Sequence, residues 1–171
     1  MDFSTFFQKD GIASSTSRGI IAGVIGGLAG TAVKTLVENF LPVRKIDQRS
    51  AQIKIVDDLS YKITGTPVSI QNEAIAEQLV NIPFGASVGA AYGYKKRDST
   101  AMKVMDGVAF GATTWITTHE TTFPVLGLEP KPTDIPIRMQ ANELLAHVLF
   151  GVTTEVVRSI VNDRLKQRRL Y

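Results

Sequence analysis

The run Gly19-Ile-Ile-Ala-Gly-Val-Ile-Gly-Gly-Leu-Ala-Gly-Thr-Ala-Val33 decides how the rest of the chain is read. It carries no charge, and Lys34 and Glu38 follow it. A membrane-crossing helix needs roughly 20 mostly apolar residues. The run therefore predicts a span over about 18–41, provided Lys34 snorkels outward or is paired. The residues before it, Met1 to Ser17, are polar and include Asp2, Lys9 and Asp10. That is not the pattern of a cleavable leader, so the run is expected to be retained.

Three further segments have the length of spans: 74–94, 102–126 and 142–161. They are more polar than the first. Glu77 and Asn81 open the second, His119 and Glu120 lie late in the third, and His147, Glu155 and Arg158 lie in the fourth. On hydropathy alone these segments also suit a soluble helical bundle.

Glycine placement separates the two readings. Gly85, Gly89 and Gly93 recur at every fourth residue, and Gly107 with Gly111, Gly19 with Gly23, and Gly26 with Gly30 repeat the interval. Each set lies on one face of a helix. In water an interior helical glycine costs about 1 kcal/mol relative to alanine. In a bilayer small-residue faces let helix backbones approach closely and pack. An all-α, polytopic bundle of about four spans with glycine-mediated packing is therefore expected, as one integral domain over 1–171.

Charge sets the expected orientation. Lys95, Lys96, Arg97 and Lys103 crowd the link between the second and third spans. Arg158, Arg164, Lys166, Arg168 and Arg169 close the fourth, and Lys9 and Arg18 precede the first. With four spans all three groups fall on one side, which the positive-inside rule makes cytoplasmic, together with both termini. The opposite loop, 42–73, carries Ile55, Val56, Leu59 and Ile63 on one helical face. It predicts a short amphipathic helix on the membrane surface or against the bundle. Pro124, Gly127, Pro130, Pro132 and Pro136 preclude a single helix there and predict an ordered outer turn.

In this topology the ionisable residues within the spans gather toward the outer leaflet. Lys34 and Glu38 are one turn apart, as are Glu143 and His147, and His119 comes from the third span. Both histidines of the chain belong to this group. A Glu and a His at that spacing can ligate a metal or relay a proton. They can equally form a hydrogen-bonded clamp between helices, so whether a metal binds stays open. Glu155 and Arg158 read as a local ion pair near the inner interface.

Several functions have no support. The chain has no cysteine, which excludes disulfides and thiolate chemistry. It shows no phosphate-binding glycine loop, no nucleophile elbow, and Phe123 stands where a zinc-protease motif starting at His119 would need a histidine. Basic and aromatic residues do not interleave as nucleic-acid binding would require. No enzymatic activity, cofactor or nucleic-acid partner is expected.

Over Asp106 to Arg158 the chain resembles the YagU-type family of bacterial inner-membrane proteins, which has no established biochemical activity. The carriers are Gly107, Gly111, His119, Phe123-Pro124, Gly127-Leu128, Pro130, Asp134 and Pro136, then Glu143, His147, Glu155 and Arg158. Ala22-Gly23, Val33-Lys34, Glu38, Pro42 and Arg44 add to them, and Phe84 and Tyr92 match more loosely. Asn81 stands where the family pattern has a histidine. The resemblance implies a bacterial inner-membrane location and points to the same Lys, Glu and His residues. The leading expectation is a structural or accessory protein in the lipid bilayer, as a homo-oligomer or a subunit of a larger complex. The rival is a proton- or ion-handling protein that uses Lys34, His119, Glu143 and His147. A membrane enzyme with a metal at that cluster is the third reading.

Overall fold

A computed structural model describes residues 15–45 and 48–167. Lys9, Arg168 and Arg169, part of the orientation pattern above, lie outside the described residues, as do Asp2 and Asp10. The described residues are helical with no strand. Helix α1 is Ser15–Phe40, α2 is Ala51–Thr64, α3 is Glu73–Lys95, α4 is Val104–Trp115 and α5 is Ile137–Gln167. α4 runs on through a π-helical stretch, Ile116–Thr122, into a final α turn, Phe123–Val125. Short 3-10 turns at Ile70–Asn72 and Pro132–Asp134 precede α3 and α5.

Local chemistry sets the ends. Pro42 follows closely on α1, and its ring cannot continue a helix. Ser50 caps α2 by accepting a bond from the Ile53 amide at 3.2 Å. Gly65 closes α2 in the left-handed conformation, φ 74°, and its N–H reaches the Tyr61 carbonyl at 2.9 Å. Pro83 lies inside α3, where Ser87 Oγ donates to the Pro83 carbonyl at 2.7 Å.

α1 packs on α3 and on α5, and α4 packs on α5 and stacks Phe110 on Tyr92 of α3. At one end Arg18, early in α1, donates to Asn162 Oδ1 of α5 at 2.9 Å. Asn162 in turn donates to the Ser99 carbonyl in the α3–α4 link at 3.0 Å. At the other end Asn142 Nδ2 donates to the Pro42 carbonyl, and Arg44 pairs with Glu77, each at 2.9 Å. Successive long helices therefore alternate in direction.

The contacts of α1 fall on glycines. A Cβ on Gly19 would sit 2.6 Å from the Gly93 carbonyl oxygen, and one on Gly23 would sit 2.8 Å from the Gly93 Cα. On the other face of α1, a Cβ on Gly26 would lie 2.6 Å from the Thr154 carbonyl oxygen. A Cβ on Gly107 would lie 2.8 Å from the Val152 Cα. Gly27, four residues after Gly23, and Gly151 are as tightly faced, by Gly85 and Gly111.

The distribution of side chains is inverted relative to a water-soluble protein. The largest fully buried side chains are Arg158, Glu155, Asn162, Thr154 and Ser50. Ile21 and Leu36 of α1, Ile75 and Leu79 of α3 and Ile116 beyond α4 are exposed. α2 buries Ala51, Gln52 and Ile53. Its Leu59 and Ile63 face outward, while Ile55 borders a cavity against the bundle. α1 and α5 are the two described helices long and apolar enough to cross a membrane, with windows of mean hydropathy 1.8 and 1.5.

Candidate functional site

Three elements deliver one buried centre. The π-helical stretch places His119 inward, buried at 3% exposure. β-Branched residues flank it (Ile116, Thr117, Thr118, Thr121 and Thr122), and Thr121 Oγ1 donates back to the Ile116 carbonyl at 2.9 Å. Such widened turns add one residue to the helix and recur at functional sites. The chain then folds back: Gly127 takes φ 71° and the Leu128 amide bonds the Phe123 carbonyl at 2.9 Å. That turn brings Glu129 over His119. The first third of α5 supplies Glu143 and His147, both buried.

His119 Nδ1 lies 2.9 Å from Glu129 Oε2 and 3.0 Å from Glu143 Oε1. Its ring meets that of His147 edge-on, with centroids 4.9 Å apart, and Phe123 closes another side at 5.0 Å. His147 Nδ1 donates to the Glu143 carbonyl at 2.9 Å, which leaves Nε2 with its lone pair. The two carboxylates are 8% and 7% exposed, and no Lys or Arg among the described residues pairs with either. One imidazole nitrogen has one proton to give, and here two buried carboxylates face it. Burying two carboxylates against one imidazole donor is costly unless a proton or a cation compensates them.

A cavity of about 140 Å³ adjoins the centre. Its lining is mostly apolar, with Ile55, Val80, Phe84, Phe123 and Phe150, and Lys34, Gln52, Asn81, His119 and His147 also border it. Gln52 is 5% exposed, and its Oε1 has no hydrogen-bond partner. Lys34 reaches this cavity but bonds Glu38 at 2.6 Å, within α1.

Of the expected cluster, His119, Glu143 and His147 come together, while Lys34 and Glu38 form a separate pair at the cavity's edge. Glu129 is the member that the residue pattern does not reveal. It lies in the proline-rich turn, and the left-handed Gly127 and the fold-back to Phe123 return it to His119, just beyond α4.

Glu155 and Arg158 pair one turn apart within α5, and both are fully buried. Arg158 Nε and Nη2 bond the two Glu155 oxygens at 2.7 and 2.8 Å, and Nη1 donates to the Ser99 carbonyl at 2.9 Å. Glu155 also accepts from Tyr92 Oη at 3.0 Å and from the Lys103 amide at 3.1 Å. The knot ties α3, α5 and the α3–α4 link together. It lies about 18 Å from Glu143 along α5, at 1.5 Å per residue.

The fold and its two polar knots define a class: an all-helical protein with ionisable groups inside and apolar side chains outside. The chain belongs to the family described as protein of unknown function DUF1440, whose model matches residues 28–156. The match includes Lys34, His119, Glu129, Glu143, His147 and Glu155, and stops just short of Arg158. No curated protein and no solved structure matches the chain.

Proposed function

We propose that this chain is a four-span inner-membrane protein that binds a cation within its helical bundle. The observation that carries the reading is the single His119 nitrogen facing the carboxylates of half-buried Glu129 and buried Glu143, neither of which pairs with a Lys or Arg among the described residues. A bound cation supplies the missing charge. The adjoining cavity is bordered by one buried, unpartnered acceptor, Gln52 Oε1. Among the expected functions this favours ion handling over a purely structural role.

The membrane part rests on the inverted side-chain distribution. Two of the four bundle helices are long and apolar enough to cross a membrane. The other two, α3 and α4, expose Ile75, Leu79, Ile82 and Met105 while facing glycines and threonines inward. Arg18, the basic α3–α4 link and the end of α5 share one end of the bundle, which we assign to the cytoplasm. The YagU-type resemblance supports a bacterial inner membrane, and the close glycine contacts suit helix packing there.

The test is a panel of mono- and divalent cations at constant ionic strength, read as the melting temperature of the purified chain in detergent. A cation at 100 times its Kd stabilises the folded state by about 2.7 kcal/mol. At least one cation should raise the melting temperature of the wild type and leave a Glu129→Gln, Glu143→Gln double variant unmoved. If no cation shifts the wild type, the centre is a hydrogen-bonded clamp and the reading is wrong.

A further inference from the structure

The donor set narrows the cation, on the footing of the cation-binding reading above. His119 Nδ1 and one oxygen each from Glu129 and Glu143 all lie within 4.8 Å of one another. They come from three separate parts of the chain and converge on one point. Hard cations such as calcium and magnesium take oxygen ligands and leave imidazole aside. Imidazole with carboxylate suits first-row transition metals. The chain has no cysteine, so the thiolate ligands that favour copper(I) are missing. Charge points the same way: two carboxylates balance a divalent ion, whereas a monovalent ion leaves one negative charge buried.

We propose that the centre binds a divalent first-row transition metal, such as zinc(II) or manganese(II), through His119 Nδ1, Glu129 and Glu143. His119 then ligates as neutral imidazole with its remaining proton on Nε2. Water from the adjoining cavity fills the remaining coordination.

The geometry needs little adjustment. Metal–ligand distances near 2.0–2.2 Å place tetrahedral donors roughly 3.4 Å apart. The separations from Nδ1 are now 2.9 and 3.0 Å, so each carboxylate must retreat by a few tenths of an ångström. Glu129 can do so easily, because it hangs from a turn rather than from a helix. Gln52 is the second sign of a guest. A side-chain oxygen 95% buried and unpartnered is expensive to leave bare, and it lies on the cavity wall that His119 shares. A metal-bound water in that cavity gives it a donor.

Cobalt(II) is the probe, because its visible absorption reports coordination. The detergent-purified full chain should bind one equivalent and show the intense bands of a four- or five-coordinate site. Glu129→Gln should weaken binding by more than the roughly 10–100-fold that outer-shell substitutions cost, and Glu143→Gln should do the same. Asp98→Asn, at an exposed carboxylate in the α3–α4 link, should leave it unchanged. Should a variant fold poorly, the wild-type spectrum still decides: the weak bands of a six-coordinate, all-oxygen site overturn the proposal. Equal cobalt binding by wild type and both glutamine variants also overturns it. If cobalt fails while sodium or calcium still raises the melting temperature through the same carboxylates, the transition-metal assignment falls and the cation-binding reading stands. If no cation of any class does so, both fall.

Discussion

Alanine at Gly89 tests the packing of α1 on α3 through the sign of its effect. A Cβ at this position would lie 2.8 Å from the Gly27 Cα and 3.0 Å from the Gly27 nitrogen, and would press on the Gly23 carbonyl oxygen. Ordinary van der Waals contact begins at 3.4 Å, so the shortfall against the Gly27 Cα is 0.6 Å. Every one of these neighbours is backbone, which no rotamer change can move. α1 and α3 must separate, and their neighbouring contacts loosen with them. Overpacking of this kind costs about 1–3 kcal/mol. Helix propensity alone acts in the opposite direction, because alanine at an interior glycine gains about 1 kcal/mol. The net expectation is destabilisation by up to about 2 kcal/mol. Reversible unfolding in mixed micelles, followed by circular dichroism, measures it. A variant more stable than wild type by about 1 kcal/mol would mean that α1 and α3 do not meet at these glycines.

Two other predictions concern the inner knot and the topology. Arg158→Met leaves Glu155 buried without its bidentate partner and should cost roughly 3–5 kcal/mol, while adding Glu155→Leu should recover much of that loss. A single variant as stable as wild type would mean that the knot is not desolvated. Because the chain has no cysteine, Asp98→Cys and Thr66→Cys each carry one unambiguous label site. In intact cells an impermeant maleimide should label position 66 and reach position 98 only after permeabilisation; labelling of both from outside contradicts four alternating spans.

Much of the helical layout was legible, because it follows from chain-local signals. The uncharged Gly19–Val33 run, the fourfold glycine intervals and the prolines around 124–136 mark helices and breaks that the structure contains. The candidate site was legible only in part. Spacing alone puts Glu143 and His147 on one face of α5, and the third expected span, over 102–126, offers His119. Glu129 was hidden because its position depends on the left-handed Gly127 and on the fold-back to the Phe123 carbonyl, neither of which has a helical period. The π-helical turn was hidden as well: it adds one residue to the register, and its β-branched threonines also suit an ordinary helix end. At the inner knot, the spacing of Glu155 and Arg158 gave the pair. The Ser99 carbonyl, the Lys103 amide and the Tyr92 hydroxyl that bond it come from residues more than 50 positions away.

The most direct test of the central claim is X-ray absorption at the zinc edge, on purified chain loaded with zinc and then dialysed. The account predicts about one zinc per chain, held by nitrogen and oxygen donors at roughly 2.0–2.2 Å, with outer-shell scattering from a single imidazole ring. A shell of oxygens alone, or zinc that leaves on dialysis, would contradict it.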